Sequence, residues 1–249
     1  MRPPDFYDDR VPSHAPYERA LRAVHDGADD VQIRLRSSLG EDEHLPAGVF
    51  FREGDGLFPF ERYALELCRG DVLDLGAGAG VHSLELQRCG TAVVAIENGR
   101  ELVRIMEERG VRNAIRADFR FWHGPRFDSV LLLMNGIGPV GTLAGLDRFL
   151  AHARRFLHPG GQLLVDSALA VEAFDAITGS TGTRGAWPDS GGYAGQAWIE
   201  LEYDGLVGRP FRELYIDLET MSVHARAAGW KPDTAFEADG AYVVRLTPR

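Results

Sequence analysis

The stretch that decides the fold runs from residue 71 to residue 97 and reads DVLDLGAGAGVHSLELQRCGTAVVAIE. An apolar run at 72–75 leads into a turn in which glycines alternate with alanines, at Gly76, Gly78 and Gly80. An amphipathic helical pattern follows, and a second apolar run at 92–96 ends on the acid Glu97. A strand, a glycine turn, a helix and a second strand with a terminal acid form half of a nucleotide-binding α/β unit.

The same alternation of apolar and amphipathic segments continues to residue 166. The patterns predict a helix over 100–109, a strand at 114–117 followed by Asp118, a strand at 127–135, a helix over 143–157 and a strand at 162–166. Gly110 and the turn His158-Pro159-Gly160-Gly161 are placed to end the two helices. Because strands and helices alternate, we expect an α/β fold with a doubly wound, mostly parallel sheet. The run at 127–135 is typical of a central strand covered on both faces.

The segment before this unit has a different character. Helices are predicted at 17–25 and 28–38, and a helix over 61–68 leads into the first strand. The loop at 47–60 contains four aromatic residues that serve either as core anchors or as pocket walls: Phe50, Phe51, Phe58 and Phe60. We expect residues 1–60 to form a lid over the nucleotide site or a dimer contact.

The segment after residue 166 predicts antiparallel structure. The patterns indicate a loop rich in Gly, Ser and Thr at 178–195, strands at 196–203 and 210–217 joined as a hairpin, a helix over 218–228, and extended runs at 234–238 and 242–246. Asp239-Gly240 between the last two runs is a strong hairpin turn signal. A parallel unit followed by a terminal hairpin predicts a sheet whose last strand is antiparallel.

Composition narrows the class of protein. The 249 residues suit one large domain, with or without a smaller lobe, and no apolar run approaches the roughly 18 residues of a membrane helix. The N-terminus lacks the features of a signal peptide, so we expect a soluble cytoplasmic protein. A formal net charge of −10, with no Lys/Arg cluster longer than Arg154-Arg155, disfavours a nucleic acid substrate. The two cysteines make neither a disulfide framework nor a metal site.

The spacing of the glycines helps to identify the nucleotide. A dinucleotide dehydrogenase requires the pattern G-x-G-x-x-G, whereas here Val81 occupies the last position and the third glycine comes one residue early. Glu97 suits ribose binding in either kind of protein. Asp74 lies two residues before the first glycine, where a dehydrogenase normally has an apolar residue, and Asp118 adds a second acid at a strand end.

With these residues the chain resembles the class I S-adenosylmethionine-dependent methyltransferases, of the type that acts on small molecules. The resemblance depends on D-L-G-A-G-A-G at 74–80, Glu97, Asp118 and H-P-G-G at 158–161, and it is specific between residues 72 and 166. It implies a Rossmann-like seven-stranded sheet with an antiparallel last strand. It also implies an enzyme that converts S-adenosyl-L-methionine to S-adenosyl-L-homocysteine as it methylates an acceptor.

The resemblance implies which residues hold the cofactor: Arg52, Asp74, Gly76, Ala77, Gly78, Glu97, Asn98, Asp118, Phe119 and Met134. Asp74 is expected to take the ligand ammonium, directly or through water, and Glu97 to hold both ribose hydroxyls. Asp118 is expected to accept a hydrogen bond from the adenine amine, with Phe119 packed on the ring. Arg52 either binds the ligand carboxylate or is a surface arginine. The helix that starts near Gly80 offers free N–H groups and a positive dipole end to the same carboxylate.

Methyl transfer from a sulfonium is an in-line displacement, so a base is needed only if the acceptor must lose a proton. The sequence LMNGIG at 133–138 differs from the Asn/Asp-Pro-Pro-Tyr/Phe pattern of enzymes that methylate nucleic-acid bases or glutamine, and it lacks the acid of the metal-dependent catechol type. Asn135 either orients the acceptor or caps the following loop. His123 is the first predicted base and His14 the second. Candidates for an apolar acceptor pocket are Trp122, Trp187 and Tyr193.

The sequence thus predicts a cytoplasmic enzyme that methylates a small molecule, with specialised metabolism as the suggested setting. Residues 1–60 form the lid segment and residues 61–249 the methyltransferase domain, with 196–217 as an inserted hairpin on the acceptor side. A monomer or homodimer without nucleic acid or membrane partners is expected. Two alternatives stay open: a protein or RNA methyltransferase, and a cofactor-binding accessory or sensor protein without catalysis.

Overall fold

The computed structural model describes residues 11–40, 42–168, 192–238 and 241–249. The strands are β1 (Gln32–Ser37), β2 (Glu43–Pro46), β3 (Val72–Leu75), β4 (Val93–Glu97), β5 (Ala114–Arg116), β6 (Phe127–Leu132), β7 (Leu157–Ala168), β8 (Gln196–Tyr203), β9 (Leu206–Val207), β10 (Phe211–Leu214), β11 (Trp230–Ala238) and β12 (Ala241–Pro248). The α-helices are α1 (Ala15–His25), α2 (Pro59–Leu67), α3 (Val81–Arg88), α4 (Arg100–Arg109), α5 (Leu143–Ala153) and α6 (Leu218–Ala227). Most of the loop predicted at 178–195, with Trp187, and the turn Asp239-Gly240 lie outside the described residues.

The larger of two sheets has seven strands in the order β11-β12-β7-β6-β3-β4-β5. Strands β7, β6, β3, β4 and β5 are parallel, and β12 is antiparallel to both β7 and β11. The predicted doubly wound, mostly parallel sheet with an antiparallel last strand is confirmed. Among the helices of the described ranges, none is both long and apolar enough to cross a membrane.

Helices cover both faces of this sheet, because successive side chains of a strand point in opposite directions. Leu73 of β3 packs with Phe149 of α5, whereas its neighbour Val72 packs with Ala64 of α2 and Leu86 of α3. All four residues of β3 are buried. The start of the glycine turn is therefore anchored in the core by this buried strand.

The smaller sheet joins two parts of the chain that are far apart in sequence. Its order is β10-β8-β1-β2, and β9 pairs with β8. β1 pairs antiparallel with β8, with Leu35 opposite Leu201, and the two strands predicted within 196–217 appear as β8 and β10. Apolar residues of β1 and β8 pack with α1 and α4 in one buried cluster. The N-terminal segment and the inserted hairpin therefore build one layer, while the division into domains at residue 60 stays a prediction.

The helix predicted at 28–38 is wrong, because this segment contains β1. Ile33 and Leu35 are buried, and the residues beside them, Arg34 and Arg36, form ion pairs with glutamates of β8. A period of two is the pattern of a half-buried strand. Of the two helices expected at 17–25 and 28–38, the structure has the first, as α1.

The end of α5 also differs from the prediction. The helix stops at Ala153, and a 3₁₀ turn at Arg154–Phe156 leads directly into β7. The predicted H-P-G-G turn lies inside β7 as a bulge, where pairing with β6 passes from Leu157 to Gln162. Gly160 adopts a φ of +81° in this bulge, a conformation that glycine accepts without strain.

Candidate active site

A cavity of about 1240 Å³ lies between the two sheets. Its floor is the edge where the parallel strands end, which is the usual ligand site of such sheets. The floor residues include Gly76, Ala77, Gly78, Glu97, Asn98, Asp118, Phe119, Met134, Asn135 and Asp166. The roof is the smaller sheet, whose contribution is mainly apolar: Ile33, Leu35, Ile199, Leu201 and Phe211. Most of the predicted site residues thus meet in one cavity.

The glycine turn forms the centre of the floor. Gly76, Gly78 and Gly80 have φ values of +71°, +56° and +86°, in the left-handed region that favours glycine. A side chain at Gly76 would point into open space, so the backbone there is accessible to a ligand. At Gly80 a Cβ would lie 2.8 Å from Val111 Cγ2 and 3.0 Å from Met106 Cγ. The early third glycine is therefore needed for the close approach of α3 to the end of α4.

Glu97 ends β4 with both carboxylate oxygens directed at the turn. Oε2 accepts the Gly78 N–H at 3.0 Å, and Oε1 accepts the Gly99 N–H at 2.9 Å. Burial raises the pKa of Glu97, while these backbone hydrogen bonds act in the opposite direction. Each oxygen retains a second lone pair for a ligand hydroxyl. Asn98 beside it lines the cavity, and its carbonyl accepts a hydrogen bond from Arg116 Nε at 3.2 Å.

Asp118 caps the 3₁₀ turn at Phe119–Phe121 and is paired with an arginine. Its Oδ1 accepts the Arg120 N–H at 3.0 Å, and its Oδ2 accepts Arg120 Nη2 at 2.6 Å. Burial raises the pKa of Asp118, but the hydrogen bonds and charge of Arg120 have the larger combined effect, so this pKa is lowered. Phe119 lines the cavity and is held edge-on against Phe149, with ring centroids 5.5 Å apart.

Asp74 does not reach the cavity, although the resemblance assigned it a ligand contact. Its side chain is buried below the turn, where Oδ2 accepts a hydrogen bond from Ser83 Oγ at 2.7 Å. Burial raises the pKa of this carboxyl. A direct contact between Asp74 and a ligand in the cavity is not supported by this geometry, and the placement instead ties β3 to the first turn of α3.

Arg52 belongs to a buried ionic group at one end of the cavity. Its Nη2 donates to Glu61 Oε1 at 2.6 Å, and His82 Nε2 lies 2.9 Å from the same oxygen. Burial raises the pKa of Glu61, but His82 and Arg52 together lower it. The guanidinium also lies 3.9 Å from the centre of the Phe58 ring. Within the described ranges, Arg52 Nε is buried without a hydrogen-bond partner.

The loop after β6 is held in an uncommon conformation by an acid at the end of β7. Met134 and Asn135 have φ values of +57° and +56°. Their N–H groups donate to Asp166 Oδ2 and Oδ1, each at 2.9 Å. The Asn135 side chain accepts a hydrogen bond from Ser167 Oγ at 3.0 Å. Burial raises the pKa of Asp166 to about 7. Asp166 therefore both shapes this loop and lines the cavity.

The two histidines predicted as bases occupy different environments. His123 is exposed and lies outside the cavity lining, with its ring 5.0 Å from the ring of His152, so its position does not support the predicted role. His14 lines the cavity, and its ring lies 4.5 Å from that of Phe211. Burial, followed by the charge of Arg120, lowers the pKa of His14.

The aromatic residues divide in the same way. Three of the four phenylalanines of the predicted loop line the cavity: Phe50, Phe58 and Phe60. Trp122 and Tyr193 pack against the main core and are absent from the cavity lining. Tyr193 donates a hydrogen bond to Asp217 Oδ2 at 2.6 Å, which explains its orientation away from the cavity.

Sequence reasoning missed several cavity residues: Tyr17, Glu61, His82, Asp166 and Glu213. Asp166 gave a usable signal, because it ends a predicted strand as Glu97 ends another. Tyr17, Glu61 and Glu213 gave none, since only the packing of α1 and α2 and the pairing of the smaller sheet bring them to the cavity.

Comparisons with known proteins agree with this geometry. A family model described as a methyltransferase domain matches residues 73–165. The chain is similar to a solved structure of a SAM-dependent methyltransferase from Bacteroides fragilis in complex with S-adenosyl-L-homocysteine, with 29% identity, coverage of 96% of this chain and 97% of that chain, and a TM-score of 0.81. No curated protein sequence matches the chain.

More distant structures share the fold. The CcbJ methyltransferase from Streptomyces caelestis has 18% identity, coverage of 78% of this chain and 91% of that chain, and a TM-score of 0.59. The sugar N-methyltransferase KedS8 from a Streptoalloteichus species has 18% identity, coverage of 76% and 85%, and a TM-score of 0.51. Taken with the strand order and the glycine turn, the family model and the Bacteroides structure support a class I S-adenosylmethionine-dependent methyltransferase.

Proposed function

We propose that this methyltransferase acts on a small molecule enclosed between its two sheets, in the cytoplasm and in specialised metabolism. The observation that carries the proposal is the cavity of about 1240 Å³. This volume exceeds the roughly 300–1,000 Å³ of ordinary ligand pockets, so one cavity can hold both a cofactor and an acceptor. The roof belongs to the same chain, and a macromolecule would have to enter beneath it. The sugar N-methyltransferase KedS8, which shares the fold, is an enzyme of the proposed type.

We assign the cofactor to the floor, where the chemistry of the lining fits a zwitterionic nucleoside. The open backbone from Gly76 to Gly78 can lie against it, and Glu97 has acceptor positions for two ribose hydroxyls. We assign the adenine amine to Asp118, which lines the cavity next to Phe119. Arg52 lines the cavity and its guanidinium suits the carboxylate end, which supports the cavity role of Arg52 over a surface role.

For the ammonium group we propose Asp166 in place of Asp74. Asp166 lines the cavity, and each of its oxygens has a lone pair left after accepting one backbone N–H. Asp74 then acts as a positioning residue that holds α3 through Ser83. When bound, the cofactor supplies a methyl carbon attached to a positively charged sulfur, which makes that carbon electrophilic.

The remaining floor and roof residues are assigned to the acceptor. Asn135 is held by Ser167 and by Asp166, so its amide can orient an acceptor in line with the methyl carbon. His14 and Phe211 lie together at the roof and can exclude water from that end. The chain's own part in catalysis is thus to bind, orient and desolvate the reacting groups.

Isothermal titration calorimetry tests the cofactor site. S-adenosyl-L-homocysteine should bind with micromolar affinity and NAD should not bind. Glu97→Ala removes the acceptors of two hydrogen bonds from ribose hydroxyls, each worth about 1.5–3 kcal/mol. The affinity of this variant for S-adenosyl-L-homocysteine should therefore fall about 100-fold or more. Glu107→Ala, which changes an exposed acid of α4, is the matched control and should bind as the wild type does. Unchanged affinity in Glu97→Ala would remove the ribose assignment. Binding without transfer of labelled methyl would favour a sensor.

A further inference from the structure

Glu213 brings a carboxyl group into the apolar roof of the cavity. In β10 it lies opposite Ala197, two residues from Phe211, which lies opposite Ile199. Alternation along the strand therefore puts Glu213 and Phe211 on the face that lines the cavity. Among the described residues, the Glu213 carboxyl has neither a hydrogen bond nor an ion pair. Glu213 is half-buried, and a carboxylate largely withdrawn from water without a partner is costly unless a ligand compensates for it.

The same carboxyl approaches the loop after β6 on the opposite side of the cavity. A Cβ on Gly138 would overlap Glu213 Oε1 and would lie 2.6 Å from Asn135 Nδ2. The glycine therefore leaves room for two polar side chains, one from each sheet, to point at the same spot. Gly138 has an ordinary negative φ, so close approach and not backbone conformation explains why a glycine suits this position.

The groups around Glu213 connect it to the cofactor half of the cavity. Tyr17 of α1 is half-buried, and burial, followed by the charges of Glu97 and Glu213, raises its pKa. A Cβ on Gly78 would lie 3.6 Å from the Tyr17 hydroxyl, so this phenol reaches the glycine turn. Tyr215, which directly follows β10, also has its pKa raised by burial and then by the charge of Glu213. In the part of the chain that the structure describes, the carboxyl thus lies near the assigned cofactor site and pairs with no basic side chain.

We propose that Glu213 binds the nitrogen of an amine acceptor and takes one proton from it, so that the substrate of the proposed methyl transfer is an amine. An entering ammonium group gives one N–H proton to the Glu213 carboxylate. The neutral nitrogen then attacks the methyl carbon: a nitrogen–carbon bond forms, and the carbon–sulfur bond breaks with its electron pair left on sulfur. The product leaves as an N-methylammonium ion, and Glu213 returns its proton to water.

An amine fits this residue better than a hydroxyl does. Burial raises the pKa of Glu213 to about 8, which is within a few units of the roughly 10 of an alkylammonium group. Water, and with it an aliphatic hydroxyl, is a far weaker acid than an alkylammonium group, so a carboxylate could not remove a proton from an aliphatic alcohol before attack. An ammonium ion also neutralises the charge of the half-buried carboxylate, which a hydroxyl cannot do.

The test uses the full chain, methyl-labelled S-adenosylmethionine and a small-molecule extract of cells that make this protein. The labelled product should pass into organic solvent at alkaline pH and stay in water at acid pH, as an amine does. Glu213→Gln should lower the rate of labelling about 100-fold, in the range of a lost acid–base group. The matched control is Glu202→Gln, which changes an acid paired with Arg34 and Arg36 on the same sheet. The rate of labelling by Glu202→Gln should stay within twofold of the wild-type rate.

Binding and stability measurements separate this inference from the proposed function. Glu213→Gln should keep its affinity for S-adenosyl-L-homocysteine within about threefold and should have a higher Tm than the wild type at pH 8. If it does not fold, Gly138→Ala, which displaces the carboxyl, should show the same loss of labelling. A labelled ether or ester, or full activity in Glu213→Gln, would overturn the inference alone. No labelled product from a wild type that binds the cofactor would overturn the proposed function as well.

Discussion

Replacement of Gly80 by alanine should destabilise the protein through two separate effects. The first is conformational, because φ is +86° at this position and alanine in the left-handed region costs about 1–2 kcal/mol. The second is steric, because the new methyl would lie 2.8 Å from Val111 Cγ2 and 3.0 Å from Met106 Cγ. Both neighbours are buried and cannot move aside freely, and overpacking of this kind costs about 1–3 kcal/mol. The expected total is about 2–5 kcal/mol.

The other end of α3 provides a matched control. Gly90 has a φ of +82°, and a Cβ there would meet no atom within 4 Å. Gly90→Ala should therefore show the conformational cost of about 1–2 kcal/mol without the steric one. Urea unfolding followed by circular dichroism measures both variants, and an unchanged m-value shows that the same transition is compared.

A double-mutant cycle isolates the steric contribution. Val111→Ala removes the methyl group that the new side chain of Gly80→Ala would meet. The loss of unfolding free energy in the double variant should therefore be smaller, by about 1 kcal/mol or more, than the sum of the losses in the two single variants. The reasoning would be refuted if Gly80→Ala cost no more than Gly90→Ala, or if the cycle showed no coupling. The early third glycine would then have no packing role between α3 and α4.

Two further predictions concern titratable groups. Burial raises the pKa of Asp166 to about 7, so the native state holds an extra proton between about pH 4 and pH 7 and loses stability as the pH rises through this range. The free energy of unfolding of Asp166→Asn, measured with urea, should therefore rise relative to that of the wild type between pH 5 and pH 7, by at most about 1.4 kcal/mol per pH unit. A difference between the two proteins that does not change with pH would contradict this. His123→Ala should keep full transfer of labelled methyl, because His123 lies outside the cavity, whereas His14→Ala should lose several-fold; equal activities would argue against the placement of His14.

The floor of the site could be predicted because its residues are close together in sequence. The glycine turn and Glu97 lie within one β-α-β unit, and Asp118 follows the next strand, so strand order alone brings them to one edge. Helix α4 was also predicted with its observed bounds, because its apolar face is regular and Gly110 ends it with a φ of +99°. Local patterns were sufficient wherever the contacts themselves are local.

The wrong predictions concern residues whose positions depend on distant pairing or on a local change in the direction of the chain. β1 is short, and its partner β8 comes much later in the chain, so its period of two was too brief to outweigh a helical interpretation. His123 follows Asp118 closely in sequence, but the 3₁₀ turn at Phe119–Phe121 redirects the chain and leaves the histidine against His152. Asp74 lies within β3, and its side chain points to α3 and not past the strand end.

Glu213 could not have been identified before the register of the smaller sheet was known. A shift of one residue between β10 and β8 would turn its carboxyl to the outer face, where an acid is ordinary. The observed register puts it between the apolar roof and the loop after β6, opposite Asn135. Donor and acceptor recognition therefore have different origins in this chain. A contiguous β-α-β unit binds the methyl donor. The groups that bind the methyl acceptor are assembled only when the N-terminal strands pair with β8 and β10. Changes in the roof register should accordingly alter acceptor choice while the affinity for the cofactor stays the same.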